Sequence, residues 1–163
     1  MPETTFVIRR ARIADAEAIF SLVRDFSPTA APDRQAFQTT FTSVSEADGS
    51  ELCVAENDGG LVVGYILVSR APSFLANAPV AWVEEVMVAE SSRRNKIGKA
   101  LMIAAENWAI QIGATHIALA SRQSGPFYLA LGYEDAATFF KKTLNSQRTE
   151  GTVAFPVPRT IPL

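Results

Sequence analysis

Cysteine and histidine are nearly absent: the 163-residue chain has one of each, Cys53 and His116. A single cysteine excludes an intramolecular disulfide framework and fits a reducing compartment. It lies in an apolar run, where a thiol serves as core filler. One imidazole and one thiol cannot supply the usual ligand set of a zinc site, so no metal is expected. Net charge is also small, at -2. It gives no general pull towards nucleic acid or an anionic membrane, so any bound anion needs a local basic cluster. No apolar run approaches the ~20 residues needed to span a bilayer. Residues 1–5 do not form a basic stretch leading into an apolar block, so no signal peptide is expected and the cytoplasm is the expected location. Residues 6–15 contain no glycine, which excludes a Gly-x-Gly-x-x-Gly dinucleotide turn after the first strand.

What is present is an ordinary globular composition, 48% apolar and 20% charged, in a length that fits one domain. Residues 6–11 have the β-branched and aromatic content of a first strand. Asp15 is placed to cap a helix in which Ile19, Leu22, Val23 and Phe26 recur at helical spacing. Pro28 and Pro32 interrupt that pattern, and a second helix is expected to carry Phe37, Phe41 and Val44. Residues 51–57 and 61–69 read as strands joined by the turn Asp58-Gly59-Gly60. A loop with Pro72 and Pro79 precedes a strand over 80–88. A long helix follows, with Ile97, Leu101, Ala104, Ala105 and Trp108 on its apolar face and an end near Gly113. Residues 117–120 read as a short buried strand, 127–131 as a short helix and 138–144 as a last strand. Lys141 and Lys142 suit an edge strand there. The order βααβββαβαβ predicts a mixed α/β layer on a largely antiparallel sheet.

The chemistry concentrates in residues 86–102, VMVAESSRRNKIGKALM. A strand ends, a polar turn follows, and a helix starts with Gly98 near its first turn. Unpaired N–H groups and the positive end of the peptide dipoles gather at such a start. Successive amides in a tight turn form a concave anion site that suits a pyrophosphate. Arg93, Arg94, Lys96 and Lys99 add the cationic charge that phosphates require.

This segment resembles the GNAT acetyltransferase superfamily, whose hallmark is Gln/Arg-x-x-Gly-x-Gly/Ala after a strand ending in valine. Starting at Arg93 places Gly98 at the second glycine and Lys96 at the first, while starting at Asn95 matches Gly98 and Ala100 but lacks the Gln/Arg. The spacing from Val88 and to Leu101 selects the Arg93 register, in which Lys96 is a departure. With a negative φ, Lys96 would keep its N–H for the ligand, although its Cβ would stand in the approach path. A second motif, Phe-Tyr-x-x-x-Gly-Phe/Tyr, is matched by Phe127, Tyr128, Gly132 and Tyr133.

The resemblance covers residues 6–144 and implies a GNAT-like α/β fold with a splayed central strand pair. It also implies an N-acetyltransferase that moves an acetyl group from acetyl-CoA to a primary amine in a ternary complex. Acetyl-CoA would lie where the strand at 80–88 parts from that at 117–120, against Val86, Met87 and Val88, with Ser121 near the pantetheine arm. Its pyrophosphate would sit on Arg93, Arg94, Lys96, Gly98, Lys99 and Ala100. Backbone N–H groups near Met87 and Val88 would stabilise the oxyanion. Tyr128 would protonate the leaving thiolate. Glu84 and Glu85, as strand neighbours, are expected on opposite faces, with one in the cleft to accept a proton from the amine. A domain of this family that binds acyl-CoA without turnover is the alternative. Residues 145–163, with Pro156, Pro158 and Pro162, form an extended tail expected to pack on its own domain (1–144) or on the partner in a homodimer.

Overall fold

The computed structural model describes residues 5–26 and 32–144. The tail over 145–163 therefore lies outside the described residues, as does the expectation of where it packs. Five strands form one sheet in chain order: β1 Phe6–Arg10, β2 Ser50–Asn57, β3 Val62–Ala71, β4 Val80–Val88 and β5 Ile117–Ala118. Pairings β1–β2, β2–β3 and β3–β4 are antiparallel, and β4–β5 is parallel. Helices α1 (Ala16–Phe26) and α2 (Arg34–Glu46) cover one face, while α3 (Ile97–Gln111) and α4 (Gly125–Ala130) cover the other. The predicted mixed, largely antiparallel sheet flanked by helices is observed.

Strand alternation builds two cores. On the α3/α4 face, Ile66, Val68, Val83 and Val86 pack with Ile97, Leu101, Met102 and Tyr128. On the α1/α2 face, Leu52, Val54, Tyr65 and Met87 meet Ile19, Leu22 and Phe41. Gly64 permits the close join of α3, β3 and β4. A Cβ there would stand 2.8 Å from the Met87 carbonyl oxygen and 3.3 Å from Leu101 Cδ1, closer than packed atoms tolerate. Cys53 is buried, and burial pushes its thiol pKa up to about 12, which leaves it protonated and inert at neutral pH, as its core setting suggested.

Three local expectations are corrected. Asp15 does not cap α1 from in front. Its buried carboxylate turns back to accept from the Arg12 N–H at 2.6 Å and pairs with Arg9 at 2.7 Å. The strand expected over 117–120 shortens to Ile117–Ala118. No strand forms over 138–144. Those residues are exposed, Phe140 fully so at 87%. The segment has no neighbouring strand to pair with among the described residues, and an isolated strand is not stable in water. Lys141 and Lys142 lie on that exposed stretch and not on a sheet edge.

Candidate active site

The sheet opens along β4. Only Ala81 and Trp82 of its nine residues pair with β5, anchored by the bond from Ala81 N–H to the His116 carbonyl at 3.0 Å. His116 thus contributes its main chain, while its exposed ring lies 3.2 Å from Thr115 Oγ1. From Val83 to Val88 the outer edge of β4 has no sheet partner among the described residues. Antiparallel strands point main-chain groups alternately to either side. The Ala89 N–H donates to Val63 on β3, so the Val88 and Val86 amides face the opening. The Val88 carbonyl confirms this, since it accepts from Arg93 Nε at 3.2 Å and not from β3. Met87 differs from expectation: its carbonyl faces β3 against Gly64, so it reaches the site through its side chain and not through its backbone. That side chain lines an open groove of about 560 Å³ with Leu22, Asp25, Ala89, Glu90 and Arg93.

At the end of β4 the chain makes a short 3₁₀ turn, Glu90–Ser92, and enters α3 through two left-handed residues, Arg94 (φ 66°) and Lys96 (φ 62°). Lys96 is the residue that caps α3. It adopts the left-handed conformation that favours glycine, so the condition of a negative φ is not met. Among the described residues, the N–H groups from Arg94 to Lys99 have no acceptor, while that of Arg93 bonds to Glu90 and that of Ala100 to Lys96. Ala100 therefore closes the helix and does not offer its amide, which corrects its expected role. Such a run of unpaired amides, with left-handed residues at Arg94 and Lys96 and a helix start behind it, is an arrangement that suits an anion. Arg94, Lys96 and Lys99 are exposed around it, and Arg93 and Gly98 are half-buried.

A left-handed lysine is strained by roughly 1–2 kcal/mol, and glycine relieves this at some cost in unfolded-chain entropy. Lys96→Gly is expected to raise the thermal midpoint by about 2 °C and to change acetyl-CoA affinity by less than tenfold, ~1.4 kcal/mol. Lys96→Ala keeps the strain and removes only the charge. Thermal denaturation and calorimetry on the two variants separate backbone from charge. Loss of binding in folded Lys96→Gly would overturn the reading of this turn.

The two glutamates are not on opposite faces. The β3–β4 register runs Leu67↔Glu85 and then Val68↔Val83, so Glu84 is an extra, bulged residue. Val83 and Val86 both enter the α3/α4 core, and Glu84 and Glu85 both turn to the α1/α2 face. There Ser69 Oγ donates to Glu84 at 2.5 Å, and the Tyr65 hydroxyl donates to Glu85 Oε2 at 2.7 Å. Burial pushes the Glu84 carboxyl above the usual carboxylate range, the Ser69 bond opposes that shift, and the charge of Glu85 adds to it. Tyr65 and Ser69 were missed in the sequence. The available signal was a pair of hydroxyls, Tyr65 and Ser69, four residues apart and so on one face of the strand.

Tyr128 lies on the other face, 4% exposed, with its ring against Phe127 and Tyr133. Its hydroxyl is buried and has no partner among the described residues. Burial raises its pKa, so the proton stays on oxygen throughout the neutral range. Tyr133 takes a different role, donating to Glu106 at 3.0 Å. Ser121 Oγ accepts from the Ser124 N–H at 3.1 Å, and so holds the turn into α4. The carboxylates and Tyr128 thus lie on opposite faces of the sheet. No cluster of three or more metal-ligating side chains occurs among the described residues.

These features define an α/β protein with a bulged strand at an opened sheet and a phosphate-type cradle at the end of that strand. The model of the GNAT acetyltransferase family matches residues 16–133, and the chain belongs to that family. No curated protein matches it by sequence. Among solved structures it is similar to a transcriptional regulator from Bacillus halodurans C-125 (TM-score 0.78, 22% identity, 86% of this chain and 100% of that one). It is similar to glucosamine-6-phosphate N-acetyltransferase from Arabidopsis thaliana (0.77, 22%, 86% and 99%). It is also similar to the aminoglycoside N-acetyltransferase AAC(6')-Iy, solved with CoA (0.74, 20%, 90% and 99%).

Proposed function

We propose that the protein transfers the acetyl group of acetyl-CoA to a primary amine by direct attack in a ternary complex. The observation that carries this reading is the run of N–H groups without acceptors, from Arg94 to Lys99, that follows a strand whose outer edge is unpaired from Val83 to Val88. The six free amides and their cationic rim fit a pyrophosphate, and the free Val86 and Val88 amides fit an extended pantetheine arm. When bound, acetyl-CoA supplies the activated acyl group. The Val88 N–H faces where the thioester oxygen gains charge and stabilises it there. Glu84 accepts a proton from the incoming amine, directly or through water, because an ammonium has no lone pair. After attack the nitrogen sheds a second proton, and Tyr128 Oη delivers one to the departing sulfur, so that the amide and the thiol both leave neutral.

Calorimetry with acetyl-CoA, and thiol release with a set of amines, tests this reading. Acetyl-CoA should bind, and bind more weakly as salt rises. No binding, or binding without thiol release from any amine, would overturn it.

Glu84→Gln and Glu85→Gln discriminate between the two carboxylates. Glu84 acts as base only when ionised, so activity should fall as pH drops through its raised pKa, and Glu84→Gln should remove that acidic limb. The stability sign is opposite. A carboxyl whose folded pKa is raised stabilises the fold below its unfolded pKa and loses that contribution as pH rises through the folded value. Glu84→Gln should therefore raise the thermal midpoint at pH 7 relative to wild type, and the gap should close near pH 4. Glu85→Gln should keep the acidic limb. A limb unchanged in Glu84→Gln would place the base elsewhere.

A further inference from the structure

Glu84 is the extra residue of the β4 bulge, so no residue of β3 stands directly opposite it. It is half-buried, and its carboxylate has lost part of its hydration. Among the described residues one donor makes up for that loss, the Ser69 hydroxyl, which bonds Oε1 at 2.5 Å. The other oxygen, Oε2, has no partner among the described residues and keeps accessible surface. One oxygen is held and the other stays open.

No cation shares this task. Glu85, next along β4, adds negative charge. On α1 and α2, which cover this face, Glu17 pairs with Arg34 and Asp25 with Arg24, and Glu46 is exposed at the end of α2. On β3, Arg70 points to the other face and Tyr65 bonds Glu85. Ile117 and Ala118 of β5 do not titrate, and the His116 ring before them lies against Thr115.

We propose that Ser69 is a positioning residue for the transfer: its hydroxyl keeps the Glu84 carboxylate charged and leaves Oε2 free to take the proton of the incoming amine. The inference rests on the acetyl-transfer reading and adds a residue that touches neither substrate nor cofactor. A hydroxyl donates more strongly to a carboxylate than to a carboxyl group, so this bond favours the charged form. Without it, burial and the charge of Glu85 act unopposed, and Glu84 holds its proton to higher pH. A base that already carries a proton cannot accept another.

The test follows kcat/KM against pH for whichever of glucosamine, alaninamide and spermidine reacts fastest, in wild type, Ser69→Ala, Ser69→Thr and Glu85→Gln. The ionisation of the amine is common to all four, so a difference between profiles belongs to the protein. Ser69→Ala should move the acidic limb towards higher pH by about one unit, and so lower activity about fivefold at the wild-type midpoint. Ser69→Thr keeps the hydroxyl and should restore the limb. Glu85→Gln removes a neighbouring negative charge and should move it the other way. A serine with a merely structural role would lower the plateau and leave the limb in place. That result, or a limb moved as far in Ser69→Thr as in Ser69→Ala, overturns the proposal. Carbon-13 titration of labelled glutamate carboxyls decides the same point without turnover. Glu84→Gln identifies the Glu84 resonance, whose midpoint should rise in Ser69→Ala. If no amine releases thiol although acetyl-CoA binds, acetyl transfer is refuted, while a Glu84 midpoint unmoved by Ser69→Ala refutes the role of Ser69 separately.

Discussion

Tyr128→Phe should lower turnover about 10²-fold, leave acetyl-CoA affinity nearly unchanged and leave the fold at least as stable. General acid catalysis contributes typically ~10²–10⁴-fold. Burial places Tyr128 at the low end, because an acid held above its ordinary pKa donates a hydrogen bond readily and gives up its proton reluctantly. Stability separates this role from packing. The hydroxyl is buried and unpartnered among the described residues, so removing it deletes no protein hydrogen bond. It also removes a desolvation penalty of the order of 1–3 kcal/mol. The ring remains against Phe127 and Tyr133. The expected pattern is a loss in kcat with an unchanged dissociation constant by calorimetry and an equal or higher thermal midpoint. A fall in turnover of less than a few-fold would leave Tyr128 as a core aromatic and require another donor at the leaving sulfur.

The parts of the site that could be read in the sequence are those whose chemistry is written in residue type. The strand Val80–Val88 came from a β-branched run that is apolar but for Glu84 and Glu85, and α3 from apolar positions recurring at helical spacing. The basic turn between them followed from four cations beside a helix start. The parts that could not be read depend on a partner or on a backbone angle. The bulge at Glu84 has no glycine or proline to announce it, and strict alternation sends adjacent glutamates to opposite faces. Only pairing with β3 shows that the alternation slips by one. Left-handed Lys96 was hidden for a related reason: a lysine has no preference for positive φ, and the surrounding turn imposes it. Residues 138–144 show the reverse error, a strand-like segment with nothing to pair with among the described residues. In each case the missing information was tertiary.

Gly98→Glu should abolish acetyl-CoA binding and leave the protein folded. Gly98 is the second residue of α3, within the run of N–H groups from Arg94 to Lys99 that have no acceptor among the described residues. A carboxylate there meets the positive end of the helix, which is favourable by about 0.3–1 kcal/mol. Glycine in a helix is unfavourable by a similar amount, so the fold loses nothing by the change. Binding changes in the other direction. The new anion can occupy the amide cradle itself, and it repels a pyrophosphate that still seeks the same donors. Two negative groups about 4 Å apart at an effective dielectric constant near 20 repel by about 4 kcal/mol, which corresponds to nearly a thousandfold in affinity. Gly98→Ala is the control for bulk. It adds the Cβ without the charge and should weaken binding far less. Calorimetry of both variants, with thermal denaturation to confirm folding, gives the answer. Wild-type affinity in Gly98→Glu would show that the pyrophosphate does not rest on this turn. An equal loss in Gly98→Ala would show that crowding, and not charge, governs the cradle.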